Sequence, residues 1–148
     1  MPDIRHRVGI AAPADRVYQA LATTDGLSRW WTRDVGGDAE VGANLEFSFG
    51  GSEPDLLMEV TDLIPGRRVG WRCVKGPDEW LDTTYVFDLT SSGGETTVLF
   101  TNAGWRDPAE FMHHCSTKWA YFLLGLRAGL QGGEATPYPD DMKISSWG

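Results

Sequence analysis

Residues 107–131 read DPAEFMHHCSTKWAYFLLGLRAGLQ, the one long helical pattern in the chain. Phe111, Cys115, Phe122 and Leu126 recur at helical spacing, and Trp119, Leu123 and Leu130 widen the stripe. Lys118 falls on that same stripe, where its stem can lie along apolar surface while its head reaches a cavity mouth. Glu110, Arg127 and Gln131 suit the wet side, and Gly132-Gly133 ends the helix. Asp107-Pro108 reads as its cap and first turn. A helix with an apolar face this broad needs a sheet to lie on, and the segments before it supply one.

Residues 4–11 alternate apolar and polar, the pattern of a half-buried strand with His6 on its apolar side. A short helix follows Pro13, carrying Val17, Tyr18 and Leu21. A second spans 26–31 with Asp25 as its cap, and because neighbouring helical positions diverge, one of Trp30 and Trp31 is expected at the rim. Residues 32–42 are polar and Gly-rich and read as a loop. Five alternating runs then follow, separated by turn signals such as Pro65-Gly66 and Gly93-Gly94. Their inward positions include Leu45, Phe47, Phe49, Met58, Val60, Val69, Trp71, Thr83, Tyr85, Phe87, Val98, Phe100 and Asn102. Sequential hairpins make the sheet antiparallel, and the first strand can join its edge beside the last. The expected fold is α+β: a curved six-stranded antiparallel sheet, two short helices and a long C-terminal helix lying in the curl. Residues 1–133 are expected to form one domain, with 134–148 an irregular tail anchored by Tyr138 and Trp147.

Composition narrows the function classes. The chain has 148 residues, a net charge of −8 and seven Trp. Acidity argues against a nucleic-acid binder and an anionic membrane surface, both of which want a basic face. No signal peptide opens the chain and no apolar run reaches transmembrane length. With two unspaced thiols, Cys73 and Cys115, the reading is a cytoplasmic protein with reduced cysteines. His113 and His114 point about 100° apart on a helix and do not share a metal. No metal, cofactor or catalytic constellation is expected: there is no phosphate loop, no GxSxG and no HExxH.

Four strings carry a resemblance: AAPADRVYQALATTDGLSRWW at 11–31, LMEVTDLIPGRRVGWR at 57–72, TTYVFDLTSSGGETTVLFTNAGW at 83–105 and WAYFLLGLRAGLQGG at 119–133. Together with the element order, they resemble the SRPBCC or START-like superfamily, the helix-grip fold, and within it the Hsp-90 ATPase activator homologue-like group. The resemblance implies a cavity between sheet and helix that holds an apolar molecule. Many members carry a His near the end of the last strand, where this chain has Asn102. The expected ligand-binding residues are Trp30, Phe47, Met58, Trp71, Tyr85, Phe100, Asn102, Lys118, Trp119 and Phe122. An apolar or aromatic small molecule is the expected partner, with a second copy of the chain or a chaperone as further partners. The alternative is a cyclase or hydrolase of aromatic substrates. That reading needs Asn102, Lys118, Tyr85 and His114 around one cavity.

Overall fold

The computed structural model describes all 148 residues. The elements run β1 (Ile4–Ile10), α1 (Ala14–Ala22), α2 (Thr24–Ser28), β2 (Asp34–Gly37), β3 (Asn44–Ser48) and β4 (Leu56–Ile64). They continue with β5 (Arg68–Lys75), a 3₁₀ turn (Asp78–Trp80), β6 (Thr84–Ser92), β7 (Glu95–Ala103) and α3 (Glu110–Leu130). All strand pairs are antiparallel, in the order β1-β7-β6-β5-β4-β3-β2. The first strand does close the edge beside the last, with Val8 opposite Val98 and Ile4 opposite Asn102.

The sheet has seven strands where the sequence predicts six. The extra one, β2, lies in the stretch read as a loop. Its only sheet neighbour is β3, with Val35 opposite Phe47. Two of its four residues are glycines, which carry no strand signal. Gly37 is needed there: its φ is +83°, and a Cβ would sit 2.3 Å from the Asn44 carbonyl oxygen.

Three helix boundaries also differ from expectation. Thr23, not Asp25, caps α2, accepting from Gly26 N at 2.9 Å. α2 stops at Ser28, so Trp30 and Trp31 lie outside it and are not held to helical geometry; each is only 2% exposed. Trp30 Nε1 donates to Ala20 O at 2.9 Å, while Trp31 stacks 5.8 Å from Trp71. The rim position expected for one of them does not exist. α3 begins at Glu110 after an uncapped Ala109, leaving Asp107 and Pro108 in the approach.

Alternation along the strands is otherwise obeyed. Leu45, Phe47, Met58, Val60, Val69, Trp71, Tyr85, Phe87, Val98, Phe100 and Asn102 are all at most 1% exposed. α3 buries Cys115, Trp119, Phe122, Leu123 and Leu126 against this face. Trp119 sits at the centre, 4.6 Å from Phe100, 5.0 Å from Trp31 and 5.9 Å from Tyr85. Burying an indole in such a cluster stabilises the fold by about 3–5 kcal/mol relative to Ala.

Beyond α3 the chain has no further helix or strand, but it is tied to the body. Tyr138 forms an isolated parallel bridge with Thr32, through Tyr138 N to Trp31 O and Arg33 N to Tyr138 O. No helix is long and apolar enough to cross a membrane.

Candidate functional site

A cavity of about 400 Å³ opens beside the N-terminal half of α3. That volume falls at the lower end of the range for small-molecule sites, roughly 300–1,000 Å³. Its walls come from four places: Trp31 after α2, Phe49 and Leu56 around the β3–β4 connection, Trp80 of the 3₁₀ turn, and α3. The tail supplies the rest through Tyr138, Asp141 and Trp147. A wider groove of about 830 Å³ runs between α1, α2 and the end of α3, but it is lined by charged side chains such as Arg16, Asp25, Arg29, Arg33 and Glu134 and by one aromatic, Trp30. Ligand sites combine apolar walls with few polar groups, so the aromatic cavity is the candidate.

Helical spacing sets the α3 wall. Phe111, Cys115, Lys118, Trp119 and Phe122 share a face and all reach the cavity, with His114 at its margin. Lys118 is the cation among them, its side chain 15% exposed. Its Nζ donates to the Asp141 carboxylate and, at 2.8 Å, to the Met142 carbonyl oxygen. It also stands 5.5 Å from the Phe122 ring centroid and 5.7 Å from that of Tyr121. The carboxylates of Glu59 and Asp82 are engaged elsewhere, both binding Arg72. Asp141 lies in a tail without periodicity, so no sequence pattern signals it.

Of the ten expected ligand-binding residues, Lys118, Trp119 and Phe122 line the cavity. Phe47, Met58, Trp71, Tyr85, Phe100 and Asn102 are packed beneath it in the core, and Trp30 borders the wider groove instead. Conversely, Trp31, Phe49, Trp80, Phe111 and the tail residues form wall that the list omits. The omission has a physical cause. Strand alternation identifies what points inward, but not where the packed interior ends and open space begins.

The buried polar groups are mostly committed. Asn102 Nδ2 donates to Thr84 O at 3.1 Å, and its Oδ1 accepts from Trp105 Nε1 at 2.8 Å. The Tyr85 hydroxyl is 2.9 Å from Thr83 Oγ1, and burial holds its pKa well above the usual phenol value. Burial pushes the Cys115 thiol up to about 12 and that of Cys73 up to about 11, so neither forms a thiolate nucleophile at neutral pH. His114 is pushed below its ordinary value, first by burial and then by the Lys118 charge; its Nδ1 is 2.8 Å from Ser145 Oγ. Of the four groups required by the enzyme reading, only Lys118 and His114 reach the cavity. Trp80 Nε1 is buried with no hydrogen-bond partner. It favours the ionised form of the nearby Cys115 thiol, but a thiol is a weak acceptor, so the indole N–H stays in need of one. No group of His, Cys, Asp and Glu is arranged to hold a metal ion.

This architecture recurs in solved structures. The chain is similar to Aha1 from Colwellia psychrerythraea, whose dimer was solved in solution, at 41% identity and a TM-score of 0.81, covering 90% of this chain and 98% of that one. CalU16 from Micromonospora echinospora shares the fold at 22% identity and a TM-score of 0.72, with 93% and 77% covered. DynU16, from the dynemicin biosynthetic locus, does so at 22% identity and a TM-score of 0.73, with 92% of this chain and 49% of that one covered. No curated protein matches. The family model described as activator of Hsp90 ATPase homolog 1-like protein matches residues 11–131. The helix-grip arrangement, the identity to Aha1 and this match agree: the chain belongs to the family of activator of Hsp90 ATPase homolog 1-like proteins.

Proposed function

We propose that this protein binds an apolar, aromatic-sized small molecule in the cavity beside α3. The observation that carries this reading is the wall itself: Trp31, Trp80, Phe111, Trp119, Phe122 and Trp147 surround about 400 Å³ of space that the side chains leave unfilled. Burying a ligand's apolar area there is worth about 25 cal/mol per Å² before ordering costs. Lys118, Trp119 and Phe122 meet the ligand, while Trp30, Phe47, Met58, Trp71, Tyr85, Phe100 and Asn102 hold the wall from behind. The neutral fluorescent probe N-phenyl-1-naphthylamine tests this. It is expected to brighten on binding, and Phe111→Asp, a half-buried wall position, is expected to weaken it at least about tenfold through a charge placed against the site. Saturating probe without any fluorescence change or thermal shift in the wild type would remove the reading.

The protein also self-associates as a homodimer in this proposal, on the ground that the 41%-identical relative was solved as a dimer. A chaperone contact, which the family's description names, is a separate reading; a protein that activates an Hsp90 ATPase without any probe binding in the cavity would favour it.

A further inference from the structure

Lys118 presents an unusual electrostatic situation. It is a largely buried cation, and both of its hydrogen-bond acceptors, Asp141 and Met142 O, belong to the tail. α3 supplies it with the aromatic faces of Tyr121 and Phe122, and neither α3 nor the sheet pairs it with a carboxylate. A desolvated cation needs a paired anion. Here that anion sits on a segment held to the body around the cavity mouth by Tyr121 with Thr136, the Tyr138 bridge and its ring against Phe49, Arg33 with Asp140, His114 with Ser145, and Trp147 against Phe111 and His114. The Asp141 side chain is itself part of the cavity wall and only 10% exposed. A carboxylate therefore already occupies the position beside Lys118 that a ligand's head group would take.

We propose that the ligand class is an apolar molecule bearing one carboxylate, and that this carboxylate replaces Asp141 on Lys118, releasing residues 140–148 from the cavity mouth. The proposal rests on the reading that the cavity binds an apolar molecule. The tail is then an internal competitor: neutral apolar molecules enter beside the intact Lys118–Asp141 pair, whereas acids break it. The chain's charge of −8 opposes an anion at long range, but salt at about 0.1 M screens that beyond roughly 10 Å, so the local cation decides.

The test compares naphthalene-2-carboxylate with naphthalene-2-carboxamide by calorimetry at neutral pH, in the wild type, Asp141→Asn and Lys118→Met. A hydrogen bond to a charged group is worth about tenfold or more in affinity once its competitor is gone. Asp141→Asn is therefore expected to tighten the acid about tenfold and leave the amide unchanged. Lys118→Met is expected to abolish any preference for the acid while keeping the amide. The backbone amide resonances of Lys143 and Ser146, which lie in the tail but outside the cavity wall, are expected to shift with the acid and not with the amide. Binding of the acid to Asp141→Asn alone also supports the proposal. Equal affinities for acid and amide in both wild type and Asp141→Asn overturn it while the cavity reading survives, as does an acid preference that persists in Lys118→Met. If neither probe binds any of the three proteins, both readings fall. Asp141→Asn keeps the shape of the side chain and an oxygen acceptor for Lys118, so the comparison holds even if Lys118→Met folds poorly.

Discussion

Asn102 is fully buried, and both ends of its amide are used. Asn102→Leu keeps the volume but leaves the Trp105 indole N–H without an acceptor in the interior. An unsatisfied buried donor costs about 1–3 kcal/mol, so urea unfolding is expected to show a loss of that size. An unchanged midpoint at unchanged slope would mean the indole has found another acceptor. The inward position of Asn102 was legible from strand alternation. Its partner was not, because Trp105 lies in an aperiodic connection. His114 provides a pH-dependent counterpart. Its folded pKa lies below the ordinary 6.5, from burial first and from Lys118 second. As pH falls below about 6.5 the unfolded chain takes up a proton before the folded one does. The stability contributed by neutral His114 is therefore complete above that pH and is lost as pH drops toward its folded value. His114→Gln is expected to flatten the fall in Tm between about pH 7 and pH 5; identical profiles for both proteins would refute this.

At the level of elements, the tail is the part whose behaviour patterning could least supply. Its irregular backbone was foreseeable from its prolines and polar residues, but its role as a cavity wall was not, since it is secured by long-range contacts. Tyr138 packs its ring 5.3 Å from Phe49 and directs its hydroxyl over Gly50, where a Cβ would sit 2.7 Å away. Its backbone meanwhile bonds Trp31 and Arg33. Tyr138→Ala keeps those backbone bonds and removes the ring, so the expected loss is about 2–4 kcal/mol, at or below the range for a fully buried aromatic. Guanidinium unfolding measures it. A loss under about 0.5 kcal/mol would mean the tail is pinned by its backbone bonds alone. β2 shows the opposite limit. Val35 is its only large apolar residue, and its place in the sheet depends on an exposed edge of β3 being available to pair. α3, by contrast, was legible almost throughout, because five buried residues at helical spacing leave one way to turn it.

Across the whole molecule, the sheet, the segment after α2 and α3 meet in one aromatic cluster in which Trp31 touches Trp71, Phe47 and Trp119 and also lines the cavity. Architecture on this scale was readable because every strand but β2, and the long helix α3, contributes its own period to it. Self-association was not, because the exposed large apolar side chains, Ile64, Leu99 and Leu124 among them, are scattered over strands and helix and mark no single stretch. The proposed homodimer nevertheless makes a quantitative demand. A stable interface buries about 800 Å² per partner, roughly a tenth of the 7600 Å² this chain exposes. Each copy also brings a charge of −8, so the two halves repel. Sedimentation equilibrium is expected to give twice the 16.3 kDa of the chain. The dimer is expected to tighten as salt rises from about 0.02 M to 0.2 M, because screening removes the repulsion while leaving apolar contact intact. A mass that stays at one chain over the whole concentration range would eliminate the dimer. A dimer that loosens with salt would instead place complementary charges across the interface and make ion pairs, rather than apolar area, the source of its stability.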